Sequence, residues 1–278
     1  MTQQLEAAVD KMRNEIVRFL QRLIQIPSEN PPGNYLDICD YLDRELTRLG
    51  FEVKVIDVPV ETTGCEGITY PRKNVIATMK GQGNGRRLIF NSHIDTVPAG
   101  DPNLWTYPPY SGTIADGKMY GRGATDSKGR LAAYIMSAVA LKRAGVSFDG
   151  DIIIAATCDE ETGGVLGAGY VTGNRLVEGD VVVVEGYSNH IIRAMAGVMQ
   201  LRIISKGIPA HAGFKWKGIN AIEKMAKVVQ GLFDLQKELE QELSSIPGMK
   251  YTTVNVGVIQ GGTKENVVPG SCEIAVDF

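Results

Sequence analysis

The sequence predicts an α/β protein. A larger domain is expected to carry a mostly parallel sheet in three layers, and a smaller α+β unit of ferredoxin-like character, left incomplete, is expected to follow it. Three observations lead there. Apolar runs of strand length (NVIATM, RRLIFNSHID, DIIIAATC, DVVVVEG) alternate with segments of helical periodicity. Three of those runs end in acidic or imidazole side chains, at the ends where open parallel sheets bind ligands. From about Gly197 the order changes to strand, long helix, strand, strand.

Taken in chain order, Leu5, Val9, Met12, Ile16, Phe19, Leu20 and Leu23 recur at three- and four-residue steps, which predicts a helix with one apolar face. Pro27 to Gly33 ends it. A second helix is expected from Tyr35 to Leu49, stopping at Gly50, where a left-handed cap suits glycine. FEVKVIDV reads as a strand, followed by an irregular loop rich in Gly, Thr and Pro, then by NVIATM and RRLIFNSHID; the last is apolar on both faces, as in a sheet covered by helices. A long loop containing PNLWTYPPYSG, a turn at ADGK and a helix from Asp126 to Ala144 come next, and loops of that length inside compact domains usually serve function. DIIIAATC and DVVVVEG are further buried strands, separated by a segment that can hold a helix. The change in character places a boundary between residues 1–196 and 197–278; the second part holds strand VMQLRIISKG, a helix from Gly218 to Glu242, and strands TTVNVGVIQGG and SCEIAVDF.

Composition narrows the function. With 29 basic and 32 acidic residues among 278, the formal charge of -3 argues against a nucleic-acid surface or a basic membrane face and leaves small-molecule chemistry. No apolar run reaches the roughly 18 residues of a membrane helix, and the N-terminus is amphipathic, so a cytoplasmic location is expected. Cys39, Cys65, Cys158 and Cys272 are scattered, with no C-x-x-C pair to suggest a disulfide framework or thiolate zinc site. GRGATDSKG is rich in glycine, but the chain has neither a G-x-G-x-x-G after its first strand nor a G-x-x-x-x-G-K-[ST], which sets a nucleotide-binding reading aside.

The residues able to carry chemistry lie at strand ends. His93 and Asp95 stand two apart, so extended backbone turns both to one side, although such pairs also cap turns and satisfy buried amides. Asp126 in GRGATDSKG is open to two readings, a ligand or a helix N-cap. CDEETGG puts Asp159, Glu160 and Glu161 in succession after an apolar strand, a costly arrangement unless cations or water compensate them. In such a pair one acid can bind a metal while its neighbour acts as a general base. Glu185 follows four valines and emerges at the same edge, or binds neighbouring amides. His211 in GIPAHAG can donate to an oxyanion or simply lie at the surface, and His190 is read as structural.

NSHIDTVPAG, WTYPPYSGTIADGKMYGRGATDSKG, CDEETGG, VVVEG, KGIPAHAG and GGTKENVVPG, in that order and over essentially the whole chain, resemble the M20 family of metallopeptidases and deacylases. The resemblance implies two divalent ions, zinc with cobalt or manganese as alternatives, and an amide substrate such as an N-acyl amino acid. His93 and Glu185 would bind one ion, Glu161 the other, and Asp126 both. Glu160 would be the general base, Asp95 would orient His93, and Asn266 would contact substrate. The bond from Asp126 to Ser127 would be cis. The second domain would be the family's lid and homodimerisation module, with His211 serving the partner subunit's site. A dipeptidase or carboxypeptidase of the same chemistry is the alternative. The resemblance also implies a missing late histidine ligand, since only His93, His190 and His211 are present, together with a missing end to both domains. Hence the expectation is a C-terminally truncated sequence, either of an active enzyme or of a fragment that binds or dimerises without activity.

Overall fold

The computed structural model describes residues 2–59, 68–186 and 194–278, and the chain divides into two units, Met1–Gly186 and Tyr187–Phe278. Cys65 and His190 lie outside the described residues.

The first unit grows from the periodicities noted above. Helix α1 (Thr2–Ile24) buries Met12, Phe19, Leu23 and Ile24. Helix α2 (Leu36–Leu49) ends at Gly50, whose φ of 91° lets its N–H close back on the Leu46 and Thr47 carbonyls, a conformation that costs an L side chain about 1–2 kcal/mol. Strands β1 (Glu52–Val58), β2 (Arg72–Met79) and β3 (Leu88–His93) follow, then a hairpin of β4 (Thr113–Ala115) and β5 (Lys118–Tyr120). Helix α3 (Lys128–Arg143) leads to β6 (Ile152–Thr157), a short α4 (Tyr170–Gly173) and β7 (Val181–Val183).

Five of these strands form one sheet in the order β1-β2-β6-β3-β7. The expected parallel pairing holds across β6, β3 and β7, whereas β1–β2 and β2–β6 are antiparallel, so the sheet is mixed. Alternate residues of β2 and β6 face opposite sides. Val75, Ala77, Ile152 and Ile154 join the main core with α1, α2 and α3, while Ile76, Ile153 and Ala155 join a small cluster with Ile89 and Val171 of α4. That second face keeps an open groove of about 740 Å³, lined in part by Ile89, Val171 and Val182.

The parallel strands bring three carboxyl ends to one edge. Asn30 N–H donates to the Thr96 carbonyl (2.8 Å) and Thr96 N–H to that of Ser28 (3.0 Å), which ties residues 28–30 to the extension of β3. The long loop after it is pinned as well. Ala99 N–H donates to Glu29 at 2.9 Å, Tyr110 also donates to Glu29, and Gln21 donates to the Gly112 carbonyl at 2.8 Å.

In the second unit, β8 (Gln200–Lys206), β10 (Asn255–Gly261) and β12 (Ser271–Asp277) form an antiparallel sheet in the order β10-β12-β8. Helix α5 (Ala221–Leu239), capped by Asn220, packs Ala221 and Met225 onto Cys272, Ile274 and Val276. Two short strands, β9 (Ala210–His211) and β11 (Val267–Val268), pair beside it. Among the described residues no helix is long and apolar enough to cross a membrane.

Candidate active site

His93 ends β3 with its ring almost fully buried, and its backbone N–H donates to Glu185 Oε1 at 2.9 Å. Its Nε2 lies 3.0 Å from Asp126 Oδ1, 3.6 Å from Glu185 Oε2 and 3.8 Å from Glu160 Oε2. Ligand atoms of His93, Asp126 and Glu161 all fall within 4.8 Å of one another. Five of the candidate residues thus converge, from four separate stretches of chain. On the other side of the ring, Nδ1 is 2.9 Å from the Asp95 carbonyl oxygen and 3.5 Å from the Asp95 carboxylate. With the ring protonated, Nδ1 donates toward Asp95 and Nε2 toward Asp126, and loss of the Nε2 proton would free a lone pair facing the acids.

Asp126 does not take the capping role. Helix α3 begins at Lys128 with Ser127 at its N-cap, and the Asp126 side chain, 68% exposed, reaches toward His93 instead. The Asp126–Ser127 peptide is cis. Ser127 donates to Glu185 Oε1, and Arg130 Nη1 stands 3.4 Å from Glu185 Oε2, bringing a cation to the cluster.

The three successive acids are separated by the backbone. Asp159, at φ 64°, turns its buried side chain away from the cluster and onto Arg72, while Glu160 and Glu161 open a 3-10 turn facing His93. The Asp95 carboxylate accepts the backbone N–H groups of Glu160 and Glu161, each at 3.2 Å.

Burial and charge crowding shift the protonation equilibria of the cluster. Burial raises the Glu160 and Glu161 pKa values above the usual carboxylate range; His93 opposes the rise and neighbouring acids add to it. Burial alone would lower the pKa of His93, but Asp95, Glu185 and Asp126 outweigh it and raise the pKa to about 10. Fully buried Lys128 donates from Nζ to the Ile26 carbonyl at 2.7 Å, and burial pushes its pKa down to about 7 against the pull of Asp95. An imidazole nitrogen ringed by mutually repelling carboxylate oxygens is a donor set suited to divalent ions that take nitrogen and oxygen ligands.

Within the second unit, β9 pairs with β11 so that His211 faces Val267, and Ala212 N–H donates to the Asn266 carbonyl at 2.9 Å. His211 Nδ1 accepts the Gly213 N–H at 3.1 Å, which places the ring proton on Nε2. His211 and Asn266 are therefore neighbours.

Residues 89–262 match peptidase family M20/M25/M40. The chain belongs to that family. It is 31% identical over 98% of its length to N-formyl-4-amino-5-aminomethyl-2-methylpyrimidine deformylase of Halalkalibacterium halodurans, and 33% identical over 94% to acetylornithine deacetylase of Photorhabdus laumondii. It spans 64% and 66% of the lengths of these two M20 relatives. The fold is shared with the di-peptidase Dug1p from Saccharomyces cerevisiae, with a TM-score of 0.73 and 16% identity over 99% of this chain and 71% of that one.

Sequence reasoning missed Asn30, Tyr35 and Arg72, which are buried behind the M20 cluster. Asn30 stands in an Asn-Pro-Pro-Gly stretch that reads as turn chemistry, and Arg72 opens an ordinary strand, so neither carried a signal.

Proposed function

We propose that this chain carries the catalytic centre of a metal-dependent amide hydrolase that removes the acyl group from an N-acyl amino acid or a related small molecule. The observation that carries the reading is the convergence of His93, Asp126, Glu160, Glu161 and Glu185 on one buried imidazole nitrogen. The relatives named as a deformylase and a deacetylase favour acyl removal over peptide cleavage.

In this reading His93 and Glu185 would hold one divalent ion, Glu161 would hold a second, and Asp126 would serve as a ligand to both. Two ions, zinc or else cobalt or manganese, would supply Lewis-acid polarisation of the amide carbonyl and a water nucleophile at neutral pH. Glu160 takes the proton of the attacking water and passes it to the leaving amine. Its raised pKa makes it a stronger base than an ordinary carboxylate. Asp95 keeps the His93 ring in place, and Lys128 ties α3 to the end of the first helix beneath the centre. His211, with its proton on Nε2, is suited to donate to the oxyanion of a partner subunit's substrate, and Asn266 beside it to contact that substrate. A homodimer through the second unit belongs to this reading. So does a cytoplasmic location, supported by the free, buried thiols of Cys39, Cys158 and Cys272.

The test is an assay of N-formyl, N-acetyl and N-succinyl amino acids beside dipeptides, with zinc, cobalt or manganese added. Glu160→Gln is expected to keep its metal and lose turnover by roughly two to four orders of magnitude. Near wild-type hydrolysis by that variant would remove Glu160 as the base, and turnover of dipeptides alone would move the reading to a peptidase.

A further inference from the structure

Asp159 is buried directly behind the acidic cluster yet faces away from it. Between it and Asp95 lies the side-chain amide of Asn30. Asn30 Nδ2 stands 3.2 Å from Asp95 Oδ2, 3.0 Å from Asp159 Oδ1 and 2.9 Å from Thr162 Oγ1. Each of the two residues it bridges grips the Glu160–Glu161 turn, Asp95 through its carboxylate and Asp159 through its backbone carbonyl. Asp95 accepts both backbone N–H groups of that turn, and the Asp159 carbonyl accepts those of Thr162 (3.2 Å) and Gly164 (2.7 Å).

We propose that Asn30 is a positioning residue, whose amide locks the Asp95 and Asp159 grips together and so fixes Glu160 and Glu161 against His93; the inference rests on the metal-centre reading above. Two buried carboxylates brought this close repel each other unless donors and counter-charge intervene. Asn30 supplies donors to both. Arg72 supplies the charge, with Nε 2.9 Å from Asp159 Oδ1 as an ion pair that lacks the alignment of a hydrogen bond, and Tyr35 donates its hydroxyl to the same oxygen at 3.0 Å. Arg72 is itself held by the Gly33 carbonyl (2.7 Å) and lies over the Tyr35 ring, 5.2 Å from its centroid. Asn30 is also in register with Asp95, because its backbone pairs with Thr96 and Ser28 Oγ donates to the Ile94 carbonyl at 2.6 Å. The loop between α1 and α2 is thereby part of the centre, one layer behind the ligands.

A packing role alone would lower stability and leave the metal site as it was. Cobalt(II) as the sole probe separates the two, through its visible absorption and a binding titration on the full chain. Asn30→Leu, which keeps bulk and removes the donors, is expected to weaken cobalt binding at least about tenfold and to change the visible bands with the far-UV spectrum unaltered. Wild-type affinity and bands in that variant would overturn the inference and leave the metal centre standing. Should Asn30→Leu fail to fold, Asn30→Ser, whose hydroxyl is too short to reach both carboxylates, decides on the same criterion: weaker cobalt binding supports the inference, and unchanged binding overturns it. A wild-type chain that takes up no cobalt would overturn the metal-centre reading itself, and this inference with it.

Discussion

Four carboxylates, those of Asp95, Asp126, Glu160 and Glu185, stand within 3.0 to 3.8 Å of one ring nitrogen or the other of His93, so the metal-free protein holds that imidazole protonated. With the pKa raised to about 10, an ion must displace the proton to reach Nε2 at any pH below that value. Apparent metal affinity is therefore expected to rise by roughly tenfold per pH unit up to the raised pKa, with a proton released from His93 per ion bound there. Calorimetric titration in buffers of different ionisation enthalpy measures the release, and its absence would show that His93 is not a ligand. Asp159 and Arg72 give a second prediction at this scale. Both side chains are at least nine-tenths buried, so Arg72→Met leaves an uncompensated charge and is expected to cost about 3–5 kcal/mol in denaturant unfolding. Asp159→Asn added to it should return part of that loss, and strict additivity would contradict the pairing. Individual residues were the least legible from sequence. Asp126, taken alone, read better as a cap than as a ligand, and Asp159 stood in the same acidic triplet as Glu160 and Glu161; its left-handed backbone turns it the other way.

Elements were far more legible, because burial on one face imposes its period on the sequence. The helices, the capping Gly50 and the central strands all fall where apolar spacing placed them. Strand order was not legible, since hydrogen-bond pairing leaves no periodicity, and the antiparallel entry of β1 and β2 into the sheet is invisible in FEVKVIDV and NVIATM. The segment between β6 and β7 holds its helix as the short α4, preceded by a 3-10 turn at Glu160–Thr162 and a π turn at Val165–Gly169 that the sequence did not signal. Gly167 explains the tight turn, for a Cβ there would collide with the Cys158 carbonyl at the end of β6. Gly167→Ala is expected to cost about 3 kcal/mol by overpacking and to displace the Glu160–Glu161 turn, lowering metal affinity along with stability. A variant that unfolds earlier but binds metal normally would show that the π turn does not support the site.

At the scale of the whole molecule, the two faces of the main sheet are unequal. The face under α1, α2 and α3 is closed, while Val182 of β7 and Val184 just after it are 54% and 60% exposed beside the open groove. An apolar edge strand of this kind invites association. Val182→Lys is expected to reduce binding of an apolar fluorescent dye and any concentration-dependent self-association seen by sedimentation, with an unchanged far-UV spectrum; undiminished dye binding would place the apolar surface elsewhere. The family pattern, with its six ordered segments, made the centre legible as a set although no single motif did so. The central claim is that this set holds metal. Anomalous diffraction from zinc-soaked crystals tests it most directly: density is expected about 2.0–2.2 Å from His93 Nε2 and from carboxylate oxygens of Asp126, Glu161 and Glu185. Zinc bound elsewhere, with His93 still hydrogen-bonded to a bare Asp126, would contradict it.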